Sequence, residues 1–149
     1  MDTNQPCSIS PLRVLLVEDN DSYAFALVKG MAKYFHIVHA ETETQAMRNL
    51  YTENYDILLL DLTLNTGYLS GFRFLEYIDR LDRFKNLIVI GLSGMALDDI
   101  YADASFGKLA AFLTKPVTAE DLIQTIEQCV LKAKGSVETD KAEETADLE

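Results

Sequence analysis

The chain has 149 residues, 48% of them hydrophobic and 25% charged, which suits one compact domain with a sizeable core. Thirteen basic against twenty-four acidic residues leave a formal charge of −11; this argues against a nucleic-acid or anionic-membrane surface and favours a basic partner or a bound cation. Cys7 and Cys129 show no CxxC or Cys/His spacing, so neither a disulfide framework nor structural zinc is indicated, and a reducing, cytoplasmic setting is the expectation.

Residues 1–10 read as a flexible N-terminus without the basic-then-apolar pattern of an export signal, and no stretch reaches the eighteen apolar residues of a membrane span. Five short apolar runs then alternate with segments of helical period: Leu12–Val17, His36–His39, Asp56–Leu60, Leu87–Leu92 and Ala110–Leu113. Such runs read as buried strands. Between them, Ala24, Leu27, Val28 and Met31, and later Leu122, Ile126 and Val130, recur at three and four spacing, as on helices with one buried face. Thr42 with Gln45 and Thr118 with Asp121 carry the acceptor-and-partner spacing of helix starts. His36 and His39 are three apart on the second run and so point to opposite faces, which disfavours shared metal ligation and leaves core or rim packing as their reading. Residues 135–149 hold six acids and one lysine and read as an acidic, disordered tail, the alternative being an arm for a basic partner.

Five β–α units in a row force parallel pairing with right-handed crossovers, and a near-continuous apolar strand such as Ile57-Leu-Leu-Leu60 is what burial on both faces requires. The predicted fold is α/β, a doubly wound five-stranded parallel sheet with five helices, occupying residues 11–134. In such sheets ligands bind outside the carboxyl ends of the strands. There the chain places Glu18 and Asp19 after the first run, Asp61 after the third, Ser93 after the fourth and Lys115 after the fifth. Each alone is an ordinary cap or turn residue. Together, an acid pair, an acid, a hydroxyl and an amine at one sheet edge point to chemistry. Three carboxylates at contact distance repel by about 4 kcal/mol per pair at an effective dielectric near 20. An all-oxygen donor set suits Mg²⁺, and with Lys115 beside it an Asp oxygen could accept a phosphoryl group.

These segments, Val14-Leu-Leu-Val-Glu-Asp-Asn-Asp21, Ile57-Leu-Leu-Leu-Asp61-Leu, Ile90-Gly-Leu-Ser93-Gly, Phe112-Leu-Thr-Lys115-Pro116 and Thr118-Ala-Glu-Asp-Leu122, resemble in order the receiver domain of two-component response regulators, chemotaxis-regulator-like and stand-alone. The resemblance covers about residues 11 to 134. It implies a flavodoxin-like sheet of order 2-1-3-4-5, as in the family's chemotaxis member, and a cis Lys115-Pro116 bond. It further implies that Asp61 takes a phosphoryl group from a partner histidine kinase or phosphotransfer protein. Glu18, Asp19, Asp61 and the carbonyl of Thr63 would hold Mg²⁺, Lys115 and Ser93 would bind phosphoryl oxygens, and Phe112 would turn inward. The output would be a reshaped face of the fourth helix, fifth strand and fifth helix that binds a downstream target, with homodimerisation through the same helices left open. With only the acidic tail after Lys134, no DNA-binding or catalytic module is expected within the chain, and the protein is read as a signalling protein that catalyses only its own phosphorylation and dephosphorylation.

Two departures from the family pattern stand out. Asn65 takes the place of a proline four residues after Asp61, and Gly71 comes ten residues after it where a glycine at eight is usual. Phe112 stands where tyrosine is frequent. Thr63 and Met95 are expected to set the lifetime of the phosphorylated state, with apolar Met95 predicting slow self-dephosphorylation. The alternatives are a haloacid-dehalogenase-like phosphatase, whose second nucleophile-motif Asp is here Thr63, and a degenerate receiver acting as a constitutive protein-binding module.

Overall fold

In the computed structural model, residues 11–63, 70–94 and 109–147 are described, side chains excepted at 70, 72 and 136–147. Five parallel strands, β1 (Arg13–Val17), β2 (His36–Ala40), β3 (Ile57–Asp61), β4 (Ile88–Ser93) and β5 (Ala111–Thr114), form one sheet in the order β2-β1-β3-β4-β5. The α-helices among the described residues are α1 (Asp21–Met31), α2 (Glu43–Thr52), α3 (Ser70–Asp79) and α4 (Ala119–Asp147), with a 3₁₀ turn at Asp82–Phe84. The sheet and its order agree with the sequence reading. Against the five helices expected, the described residues hold four: the helix expected between the fourth and fifth runs falls at residues 95–108, which lie outside the described residues, and α4 is the last helix of that reading.

Alternation along the central strands splits the core in two. Leu15, Val17, Leu58 and Leu60 pack with Ala46 and Leu50 of α2 and with Phe74, Leu75 and Ile78 of α3. Val14, Leu16, Ile57, Leu59, Ile90 and Leu92 pack with Ala24, Leu27 and Met31 of α1 and with Leu122 and Ile126 of α4. A strand whose odd and even residues both meet helices has no wet face, which is why β3 is apolar throughout until its last residue.

Side-chain caps start three of the helices. Asn20 Oδ1 accepts the Tyr23 N–H at 2.9 Å and Thr42 Oγ1 accepts the Gln45 N–H at 3.1 Å. Before α4 the capping box is reciprocal: Thr118 Oγ1 accepts the Asp121 N–H at 3.1 Å, and the Thr118 N–H donates to Asp121 Oδ2 at 3.0 Å. Each occupies donors a helix start leaves open. Helical backbone in α4 continues past Lys134, where a disordered tail is expected, to Asp147. Extension of an existing helix carries no nucleation cost, and residues 135–147 include three Glu, two Ala and a Lys, all good helix formers, and no proline.

The ladder carries on past the strand ends. The Glu18 N–H donates to the Ala40 carbonyl at 3.0 Å, Leu62 N–H to Leu92 at 2.8 Å, and Lys115 N–H to Ser93 at 2.8 Å. The Lys115-Pro116 bond is cis. Gly71, in the first turn of α3, lies so close to the end of β3 that an added Cβ would sit 2.4 Å from Leu62 Cα and 2.5 Å from the Asp61 carbonyl oxygen. Main-chain atoms cannot turn aside as side chains do. Gly71→Ala should therefore destabilise the protein by about 3 kcal/mol, read as a lower urea midpoint at unchanged slope; a midpoint equal to wild type would show that α3 can shift freely.

Candidate functional site

Three of the predicted residues converge at the carboxyl end of the sheet. Carboxylate oxygens of Glu18, Asp19 and Asp61 all lie within 4.8 Å of one another, with Glu18 and Asp61 buried and Asp19 exposed. Glu18 follows β1 directly and Asp61 closes β3, so the pairing of Val17 with Leu60 in adjacent strands brings two residues 43 apart in sequence to one rim. Asn20 returns its N–H to Glu18 Oε2 at 3.1 Å.

Lys115 completes the cluster from the residue after β5. Its ammonium donates to Glu18 Oε1 and, at 3.1 Å, to Asp61 Oδ2. Thr63 folds back over Asp61 from the other side, its N–H and hydroxyl donating to Asp61 Oδ1 at 2.9 and 3.0 Å. Both oxygens of Asp61 are thus held. The part expected of Thr63 was its carbonyl; its hydroxyl and amide contacts are additional, and only the hydroxyl could have been suspected from residue type.

Burial pushes the Glu18 carboxyl above its ordinary range; the Lys115 hydrogen bond and the Asn20 amide pull it back only in part, and the charge of Asp61 adds to the rise. Burial also opposes the charge on Lys115, but bonding to Glu18 and the fields of Asp61 and Glu18 outweigh it, so the Lys115 pKa lies above the usual lysine value. Three carboxylates against one ammonium leave two negative charges uncompensated when all are ionised. That excess, an all-oxygen donor set and one solvent-facing member fit a small divalent cation that keeps several waters, the character of Mg²⁺.

Ser93, fully buried, closes β4 and pairs in register with Thr114. Phe112 is half-buried on β5, packed against the core shared with α2 and α3. Met95 and Asn65 lie outside the described residues. His39, on β2, places its Nε2 2.6 Å from the Glu18 carbonyl oxygen, and His36 is exposed, so the rim reading suits both. One contact the sequence reading missed is Tyr23, whose ring centroid is 4.9 Å from Lys115 Nζ; the available signal was an aromatic in the first turn of the helix that follows the acid pair. No helix among the described residues is long and apolar enough to cross a membrane.

A family model described as response regulator receiver domain matches residues 14–127. The cell cycle response regulator CtrA of Brucella ovis is 33% identical over 132 residues, which is 86% of this chain and 54% of that protein, and the CtrA of Brucella anthropi gives the same figures. The chain therefore spans about half the length of these curated relatives. Among solved structures, the signal receiver domain of a putative LuxO repressor protein from Vibrio parahaemolyticus aligns with a TM-score of 0.73 at 24% identity, over 87% of this chain and 98% of that one. The chemotaxis response regulator CheY4 of Vibrio cholerae aligns with a TM-score of 0.71 at 16% identity, over 80% and 99%. At these identities the solved structures speak for the fold.

Proposed function

The chain belongs to the response regulator receiver domain family, and from that premise we propose that it is a phosphorylation switch whose acceptor is Asp61. The observation that carries this reading is the convergence of Glu18, Asp19 and Asp61 with the Lys115 ammonium at the carboxyl rim of the sheet. Family membership replaces the phosphatase alternative, and the presence of every expected polar group argues against a degenerate binding module.

In this reading Glu18, Asp19, Asp61 and the Thr63 carbonyl would hold Mg²⁺, which would supply positive charge against the carboxylates and an incoming phosphoryl group. An Asp61 oxygen forms the new O–P bond as the P–N bond of a partner's phosphohistidine breaks, the electron pair leaving with the imidazole nitrogen. Thr63 and Lys115, one on each oxygen, keep the Asp61 carboxylate from rotating, so attack starts from one orientation. Lys115 follows the transferred charge and binds a phosphoryl oxygen, and Ser93 binds another. Phe112 turns inward as Ser93 moves. The fifth strand, the start of α4 and the segment before β5 then present a changed face to a downstream protein, in a cytoplasmic setting. The partners are a histidine kinase or phosphotransfer protein and that target, with no nucleic acid or membrane contacted directly.

Acetyl phosphate with Mg²⁺ tests the proposal: intact-mass measurement should show a gain of one phosphoryl group. No gain over hours, with the protein folded, would count against it. Metal binding has its own readout. A ligand that binds only the folded site stabilises it by about 2.7 kcal/mol at a hundred times its dissociation constant, so Mg²⁺ should raise the melting temperature by several degrees. Asp19→Asn should abolish that response while raising the melting temperature in chelator, because one of three repelling carboxylates is gone. An Asp19→Asn protein that still responds to Mg²⁺ as wild type does would remove Asp19 from the metal site.

A further inference from the structure

Tyr23 sits in the first turn of α1, its N–H fixed on Asn20 Oδ1. Its hydroxyl accepts the Val117 N–H at 2.9 Å and donates to the Val117 carbonyl at 3.1 Å. Both bonds fall on the residue two beyond Lys115, so one phenol clasps the chain that leaves β5. The Lys115 ammonium lies 4.9 Å from the ring centroid, within reach of the ring's negative face. Asn20, Tyr23, Lys115 and Pro116 together line an open hollow of about 330 Å³.

We infer that Tyr23 is a positioning residue for phosphoryl uptake, holding the Lys115 ammonium over Asp61 through its ring and the following chain through its hydroxyl; this rests on the phosphorylation reading above. A lysine side chain is long and flexible, and its other two partners, Glu18 and Asp61, are the groups whose charge changes as metal and phosphoryl arrive. The contact with the Tyr23 ring depends on neither. It can keep the ammonium in place while its acceptor changes from a carboxylate oxygen to a phosphoryl oxygen. A misplacement of about 1 Å in such a group can cost up to about a hundredfold in rate.

The test compares wild type, Tyr23→Leu and Tyr23→Phe. Three quantities are read: the initial rate of phosphoryl uptake from acetyl phosphate at saturating Mg²⁺, the Mg²⁺ concentration giving half the thermal shift, and the order of the Lys115 side-chain carbons by NMR in the unphosphorylated protein. Tyr23→Leu should lower uptake about tenfold, leave the Mg²⁺ half-saturation within about twofold, and disorder the Lys115 side chain. Tyr23→Phe, which keeps the ring, should recover uptake to within about threefold of wild type and keep Lys115 ordered. Uptake by Tyr23→Leu at the wild-type rate, or Lys115 equally ordered in all three proteins, overturns the inference. So does a parallel loss of Mg²⁺ binding, which would mark general damage to the rim. Should wild type itself take up no phosphoryl group, the phosphorylation reading fails, while the NMR comparison still decides whether Tyr23 holds Lys115.

Discussion

Asp61→Asn should take up no phosphoryl group from acetyl phosphate and Mg²⁺ under conditions where wild type is fully modified. An amide oxygen keeps the shape needed to accept the Thr63 N–H and hydroxyl, which are 2.9 and 3.0 Å from Asp61 Oδ1, so Thr63 keeps its place. What is lost is the negative oxygen: a neutral amide is not a phosphoryl acceptor. The amide NH2 then takes the place of Oδ2 and faces the Lys115 ammonium, so the 3.1 Å bond of the wild type is lost, while Lys115 keeps Glu18 and one source of repulsion among the carboxylates disappears. These opposed effects should leave the melting temperature in chelator within a few degrees of wild type, which separates loss of chemistry from loss of fold. Intact-mass and peptide mapping read the result. A phosphoryl group retained on Asp19 or Glu18 would move the acceptor elsewhere in the cluster.

The second large effect is on stability. Lys115→Met, measured in chelator, should destabilise the protein at pH 7 by about 3 kcal/mol, because removing one partner of a buried pair leaves the other charge uncompensated. Glu18 is that charge, 0% exposed and bonded to Lys115. Its carboxyl is raised from an ordinary 4.5 by burial even with Lys115 present, and without the ammonium it should rise further. A carboxyl whose folded pKa exceeds its unfolded one binds a proton on folding. Its contribution is complete below the unfolded value and is lost as pH climbs through the folded value. The deficit of Lys115→Met relative to wild type should therefore shrink as pH falls from 7 toward 5, where Lys115 of the wild type stays fully charged. Urea midpoints at the two pH values check it. An equal deficit at both would show that Glu18 is not the group left exposed to the loss.

Apolar pattern located all five strands to within a residue at either end; in β1, β3 and β4 burial on two faces leaves little room for polar interruptions, whereas the half-buried edge strand β2 tolerates two histidines. The pattern misjudged where four of the strands stop. β2, β3, β4 and β5 each continue one residue beyond the apolar run, to Ala40, Asp61, Ser93 and Thr114. Asp61 and Ser93 pair in the ladder with Leu92 and Thr114, and ladder bonding is a property of the main chain that side-chain polarity does not report. The caps at Thr42 and Thr118 were legible since their bonds span three residues. The clasp of Tyr23 on Val117 was not: its partners are 94 residues apart, and only the crossover geometry brings them together. Gly71 was legible as an oddity of spacing, but its reason, the approach of α3 to the Leu62 main chain, needed the fold. The continuation of α4 to Asp147 escaped because composition tests whether a segment can bury surface, whereas extending a helix already formed needs only that the backbone hydrogen bonds carry on.

The hydrogen bonds from Glu18, Leu62 and Lys115 to the neighbouring strands carry a consequence for how a signal leaves this rim. Those amides can exchange with deuterium only when the sheet itself opens, which sets them among the slowest in the molecule. The reacting end of the protein is thus an anvil: its peptide frame is tied to the neighbouring strands where charge arrives, and what is left to move at those three positions is the side chains.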